Sequence, residues 1–148
     1  MDFRFSPEQE RLRADVRGVL RERWAPGDDP VRFRPGYLPF RSLEMELGAR
    51  GWLGMTWPVE YGGGGRSPID NLVLAEELAA VSAPGVETLG HTTVGPSILL
   101  FGNEEQKQQY VRGLCTGELS FSLGYSEPGT GSDLAGLQAE ARLDGDHY

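Results

Sequence analysis

The sequence predicts an α+β chain, with an all-α helical bundle over residues 1–116 and the first strands of a β-domain over 117–148. Three observations predict it. Segment after segment opens on a helix-capping residue and closes on glycine or proline. After residue 118 the apolar period changes from helical to two. A turn signal, Asp144-Gly145, then leaves only Asp146, His147 and Tyr148, so a returning strand begins and is cut short.

The elements follow in order. Ser6-Pro7-Glu8-Gln9 combines an N-cap, a proline at the first helical position and a residue placed for a capping box. Leu12, Val16, Val19, Leu20 and Trp24 recur at helical spacing, and Pro26-Gly27-Asp28-Asp29-Pro30 ends the helix. Residues 31–39 read as a loop. A second helix is expected from about Pro39 to Arg50, with Phe40, Leu43 and Leu47 inward and Gly51 as its stop. An apolar, aromatic connection, Trp52-Leu53-Gly54-Met55-Thr56-Trp57-Pro58, precedes Tyr61 and the glycines at 62–65. No Lys-Ser/Thr follows those glycines, so a P-loop is rejected.

Ser67-Pro68-Ile69-Asp70 opens a third helix. Its apolar set (Ile69, Leu72, Val73, Leu74, Leu78, Ala79) predicts burial on more than one side, and Pro84-Gly85 closes it. A fourth helix, about 87–101, is expected to kink at Gly95-Pro96, and Gly102 ends it. Asn103-Glu104-Glu105-Gln106 caps a fifth, carrying Tyr110, Val111 and Leu114. Leu119, Phe121, Leu123 and Tyr125 then alternate with Ser120, Ser122, Gly124 and Ser126, the pattern of a half-buried strand. The loop Gly129-Thr130-Gly131-Ser132-Asp133 follows, and Leu137, Ala139, Ala141 and Leu143 alternate again. Two strands and a stub do not make a stable sheet alone, so the chain reads as incomplete.

Fourteen basic and 22 acidic residues give a net charge of -8, which disfavours a nucleic-acid partner. The basic residues between Arg11 and Arg23 alternate with Asp15 and Glu22 and read as a solvated helix face. Cys115 is the one cysteine, so an internal disulfide and a cysteine zinc cluster are excluded. No apolar run approaches the roughly 18–20 residues of a membrane span, and the N-terminus lacks a secretory apolar core. A cytoplasmic location is the expectation. With His91 and His147 far apart in sequence and no clustered carboxylates, no metal is expected.

The order of these segments resembles the acyl-CoA dehydrogenase family over essentially the whole chain. Residues 125–133, YSEPGTGSD, are similar to the family's hydrophobic-Thr/Ser-Glu-Pro-x-x-Gly-Ser-Asp signature. Trp57-Pro58-Val59-Glu60-Tyr61-Gly62-Gly63 resembles its Pro-x-x-Tyr-Gly-Gly segment, residues 99–109 its Gly-x-x-x-Gln-Lys helix start, and Asp144 to Tyr148 its turn before a third strand. The resemblance implies a helical N-terminal domain, a β-barrel-like middle domain of which only the start is here, and a C-terminal helical domain absent from the chain. It also implies FAD, an acyl-CoA substrate desaturated between its α and β carbons with hydride passing to flavin N5, an electron-transfer flavoprotein as acceptor, and a homodimer or homotetramer.

Position by position, the resemblance implies cofactor contacts at Leu123, Tyr125, Ser126, Gly131 and Ser132, with Ser132 also beside the acyl-CoA. The Ser126 hydroxyl matches the group that reaches the flavin O4/N5 edge. No catalytic residue is implied in this chain, because the expected glutamate base lies beyond Tyr148, and the chain alone is expected to be inactive. The residues themselves agree: a Ser122/Gly124/Ser126 face is small and flat enough for a planar ring. Tyr125, where the family commonly has a smaller residue, is expected to narrow the pocket. Asp133 reads as a loop cap or ion-pair partner, Glu127 as a residue held extended by Pro128, Cys115 as core, and Trp24, Trp52 and Trp57 as packing. A same-fold oxidase or flavin-dependent monooxygenase, and a non-catalytic split subunit, are the alternative readings.

Overall fold

Helix starts follow the local chemistry closely. Ser6 accepts from the Gln9 amide (3.2 Å) while the Gln9 side chain accepts from the Ser6 amide (2.9 Å), a capping box that opens α1, Pro7–Arg23. Ser67 and Asp70 do the same for α3, Pro68–Ala80, and Asn103 and Gln106 for the short α5, Glu104–Gln106. Each box satisfies two backbone donors that a helix start otherwise leaves unpaired. The computed structural model describes residues 4–24, 38–83 and 89–147. The expected turn at 26–30, most of the 31–39 loop, the Pro84-Gly85 stop and the side chain of Phe40 lie outside the described residues.

The second helix, α2, is Leu38–Ala49. It ends in a paired set of backbone bonds, Trp52 N–H to Leu47 O and Gly51 N–H to Gly48 O, both 2.9 Å, with Gly51 at φ 69°. That geometry needs a left-handed residue after the helix, which is why glycine stands there. The main core joins Leu12, Val16, Val19, Leu20 and Trp24 of the α1 region to Leu43 and Leu47 of α2 and Val73, Leu74 and Leu78 of α3, with Trp52, Leu53 and Met55 beneath them.

α3 departs from expectation. Ile69 and Leu72 remain 47% and 46% exposed and Ala79 is exposed, so only one side of this helix is buried among the described residues. The arginines of α1 depart as well. Arg13 donates to Glu77 (2.5 Å) and Glu76 (2.7 Å), and Arg17 binds the Glu77 carboxylate with two bonds, 2.7 and 2.9 Å. The face that reads as merely solvated is an ion-paired seam between α1 and α3. Sequence distance conceals it, because the partners lie about sixty residues apart.

The expected fourth helix contains a π turn, Gly90–Val94, running into α4, Gly95–Phe101, with the Gly95 amide bonded to Gly90 O. The fifth is likewise widened: α5 passes through a π turn, Lys107–Val111, into α6, Arg112–Thr116. Gly117, at φ 74°, ends it.

The expected strands do not form among the described residues. Among the described residues the β pairing consists of two isolated bridges, Glu127 with Thr130 and Asp144 with His147. Side-chain alternation survives at Leu119, Phe121 and Leu123, which are half-buried between exposed neighbours, and lapses at Tyr125, which is 58% exposed. Alternation dictates which side chains face inward, but a strand also needs a partner for its N–H and C=O groups, and the 119–126 and 137–143 segments do not pair. The Asp144-Gly145 turn is present, with Gly145 at φ 68°.

Candidate functional site

The four glycines at 62–65 have separate local reasons, none of them a phosphate. Gly62 and Gly65 have φ of 88° and 57°. A Cβ on Gly63 or Gly64 would run into the backbone of Trp57 or Met55. The run folds back along residues 54–57, with Gly64 N–H to Gly54 O (2.9 Å), Arg66 N–H to Met55 O (2.9 Å) and Gly65 N–H to Trp57 O (2.9 Å). Beside it, Tyr61 donates to the Glu104 carboxylate (3.1 Å), with Lys107 3.6 Å from the same carboxylate. Burial first, then Glu104, pushes the Tyr61 hydroxyl above its ordinary range.

This fold-back presents Trp57 to the π turn. The ring of His91 stacks on Trp57 at 5.5 Å between centroids and 24° between planes. His91 is 9% exposed, and its Nε2 lies 3.2 Å from Leu114 O. A carbonyl only accepts, so Nε2 carries a proton. Burial is the main cause holding its pKa below the ordinary value. Gly95 lies against Cη2 and Cζ2 of the Trp57 ring, where a side chain has no room. Cys115 packs against Gly54, and burial raises its thiol pKa to about 11, which leaves it inert.

Over the outer side of α4 runs an open groove of about 340 Å³. Thr93, Val94, Ser97, Ile98 and Phe101 form one wall, and Leu123 and Tyr125 the other. It is mostly apolar, and the Ser97 hydroxyl is already committed to Thr93 O (2.7 Å). The chain then turns at Pro128-Gly129, with Glu127 N–H to Thr130 O (2.9 Å) and Thr130 N–H to Glu127 O (3.1 Å). The Glu127 carboxylate accepts from the amides of Gln138 (3.0 Å) and Ala139 (2.7 Å). It therefore closes the 127–139 loop, a role that local sequence did not suggest. Asp133 precedes the 3₁₀ turn Leu134–Gly136 but makes no capping bond with its side chain.

Ser122, Gly124 and Ser126 are exposed, on the side opposite Leu119, Phe121 and Leu123. At Gly124, Gly129 and Gly131 a Cβ would meet nothing within 4 Å, and none of the three has a positive φ. Neither packing nor backbone conformation in this chain requires glycine there. What these glycines provide is open backbone on a face of small hydroxyl side chains, and Thr130 Oγ1 beside it is buried without a hydrogen-bond partner. Among the described residues no three His, Cys, Asp or Glu side chains gather in a way that could hold a metal ion.

The family model for the acyl-CoA dehydrogenase N-terminal domain matches residues 6–118. This chain belongs to the acyl-CoA dehydrogenase family. It is 38% identical to acyl-CoA dehydrogenase FadE26 of Mycobacterium tuberculosis over 154 aligned positions, covering 100% of this chain and 38% of that protein. Its fold matches the crystal structure of the ChsE4–ChsE5 complex from the same organism with a TM-score of 0.79 and 38% identity, over 99% of this chain and 37% of that one. It also matches an acyl-CoA dehydrogenase from Bacillus anthracis solved in complex with FAD, with a TM-score of 0.64 and 29% identity, over 90% of this chain and 23% of that one. The chain thus spans about 38% of the length of the curated relative FadE26.

Within this family member, two of the five residues expected at the cofactor, Leu123 and Tyr125, line the groove with α4. Ser126, Gly131 and Ser132 are exposed beyond it and do not line it. Sequence reading missed the α4 wall and the Trp57–His91 pair. The spacing of Val94, Ile98 and Phe101 at i, i+4 and i+7 was the available signal for the wall. Nothing local pairs Trp57 with a residue 34 positions away.

Proposed function

We propose that this chain supplies the N-terminal portion of an FAD-dependent acyl-CoA dehydrogenase that desaturates an acyl-CoA thioester between its α and β carbons. The observation that carries the reading is the small, open, hydroxyl-bearing face of residues 122–132 beside an apolar groove, in a chain of this family. Residues 123–126 and 131–132 fit a flavin wall: flat backbone at Gly124 and Gly131, and donors at Ser126 and Ser132. FAD, when bound, supplies the hydride acceptor. The chain's own part is to orient the ring through the Ser126 hydroxyl and the Tyr125 backbone, to bring Gly131 and Ser132 up to it, and to keep water from the apolar groove. Ser132 also stands toward the acyl-CoA.

The base is assigned to a residue outside this chain. The middle domain is taken to complete a β-barrel-like sheet, giving the 119–126 and 137–143 segments their partners. Electrons are taken to leave to an electron-transfer flavoprotein, with the protein acting as a homodimer or homotetramer in the cytoplasm. Among the described residues no helix is long and apolar enough to cross a membrane.

Titrating the complete FAD-loaded polypeptide anaerobically with acyl-CoAs of varied chain length, branching and ring content tests the reading. Loss of the oxidised flavin absorbance with at least one of them is the expected result, and no bleaching across the series overturns it. Peroxide production on readmission of air, or NADH-fuelled hydroxylation, reassigns the reaction to an oxidase or a monooxygenase.

A further inference from the structure

We infer that His91 is a positioning residue that fixes the π turn Gly90–Val94 and thereby the wall of the α4 groove. Three features meet at this ring. It is buried in the turn and stacked on Trp57, and its Nε2–H reaches Leu114 O of α6, a carbonyl near a helix end that also accepts from the Gly117 amide (3.2 Å). Two and three residues further on, Thr93 and Val94 face the groove.

A π turn carries one residue more than an α turn of the same rise, so it persists where tertiary contacts hold it. Here those contacts are identifiable. Trp57 is approached closely by Gly63 on its backbone side and by Gly95 of α4, with no room for a Cβ at either position. His91 therefore ties the turn to two bodies, the Trp57 fold-back and α6. Releasing it lets residues 90–94 relax toward ordinary α spacing, which rotates Thr93 and Val94 relative to Leu123 and Tyr125 on the opposite wall. The effect on a ligand in the groove is one of fit, with no His91 contact to it.

The ligand arm of the test rests on the function proposed above, and the backbone arm does not. In the complete FAD-loaded polypeptide, His91→Phe keeps the ring stack and removes the donor. Amide exchange at Gly95, whose N–H closes the π turn onto Gly90 O, is expected to accelerate about five- to tenfold, the size of one net hydrogen bond. Exchange in α1 and α3 stays unchanged. KM for the acyl-CoA rises by a similar factor, with kcat within about twofold. His91→Gln, which retains a donor, is expected to recover most of the Gly95 protection and stands in if the phenylalanine variant does not fold.

Unchanged Gly95 exchange in His91→Phe overturns the inference. So does faster exchange with an unchanged KM, which leaves His91 a packing residue only. Equal loss of protection in the glutamine and phenylalanine variants removes the hydrogen bond as the cause. If the parent protein bleaches with no acyl-CoA, the proposed function falls, while the exchange arm still decides whether His91 holds the turn.

Discussion

Ser126 is exposed, on the small face of its segment, and its neighbours Gly124 and Gly131 leave backbone uncovered. A single neutral hydrogen bond is worth about 0.5–1.5 kcal/mol net, so Ser126→Ala is expected to weaken FAD binding by roughly two- to tenfold and not to abolish it. Equilibrium titration of the apoprotein with FAD reads this directly, alongside a shift in the bound flavin absorbance bands. An unchanged affinity and spectrum would show that the hydroxyl faces elsewhere. The small, polar character of residues 122–132 was legible in the sequence, since residue type alone sets it, and the structure leaves Ser122, Gly124 and Ser126 exposed. The closing role of Glu127 was not, because its partners, the amides of Gln138 and Ala139, lie eleven and twelve positions on.

The elements show the same division. Helix starts depend on hydrogen bonds spanning three residues, so Ser6, Ser67 and Asn103 announce them in sequence. The π turns depend on what packs against the helix, and neither was legible. Glycine substitutions separate the two cases. Gly18 lies within α1, where an added Cβ would meet nothing within 4 Å, whereas a Cβ on Gly95 would stand 2.7 Å from Trp57 Cζ2 and 3.0 Å from Gly90 O. Gly18→Ala is expected to stabilise the protein by about 0.5–1 kcal/mol through helix propensity. Gly95→Ala is expected to destabilise it by about 1–3 kcal/mol through overpacking and to disturb the near-ultraviolet signal of Trp57. Urea unfolding of both variants measures the two signs, and a neutral Gly95→Ala would mean that the Trp57 contact is loose.

Across the whole molecule, the α1–α3 seam is the clearest electrostatic determinant of stability. Glu77 is buried between Arg17 and Arg13, and its carboxyl pKa lies below the ordinary value, chiefly through the Arg17 hydrogen bonds. The unfolded chain then binds this proton more readily than the folded one. The contribution is thus complete above pH of about 4.5 and is lost as pH falls through the lowered folded value. Glu77→Gln is expected to cost about 2–3 kcal/mol at neutral pH, less than a fully buried pair because the Arg17 side chain is about half exposed. It should also flatten the acid limb of the stability profile. Urea midpoints between pH 3 and 7 check both, and an acid limb as steep as in the parent protein would assign it to other carboxylates.

Sequence alone determined the helical run, its caps, the family and the character of the 122–132 face, because each is written in contacts of a few residues or in short ordered motifs. Tertiary structure decided the rest. It turned an apparently solvated arginine face into an ion-paired seam, committed the glycines at 62–65 to backbone approach and positive φ, widened two helices into π turns, and left two alternating segments unpaired. In each case the deciding partner lies far along the chain or outside the local pattern, and periodicity carries no information about it.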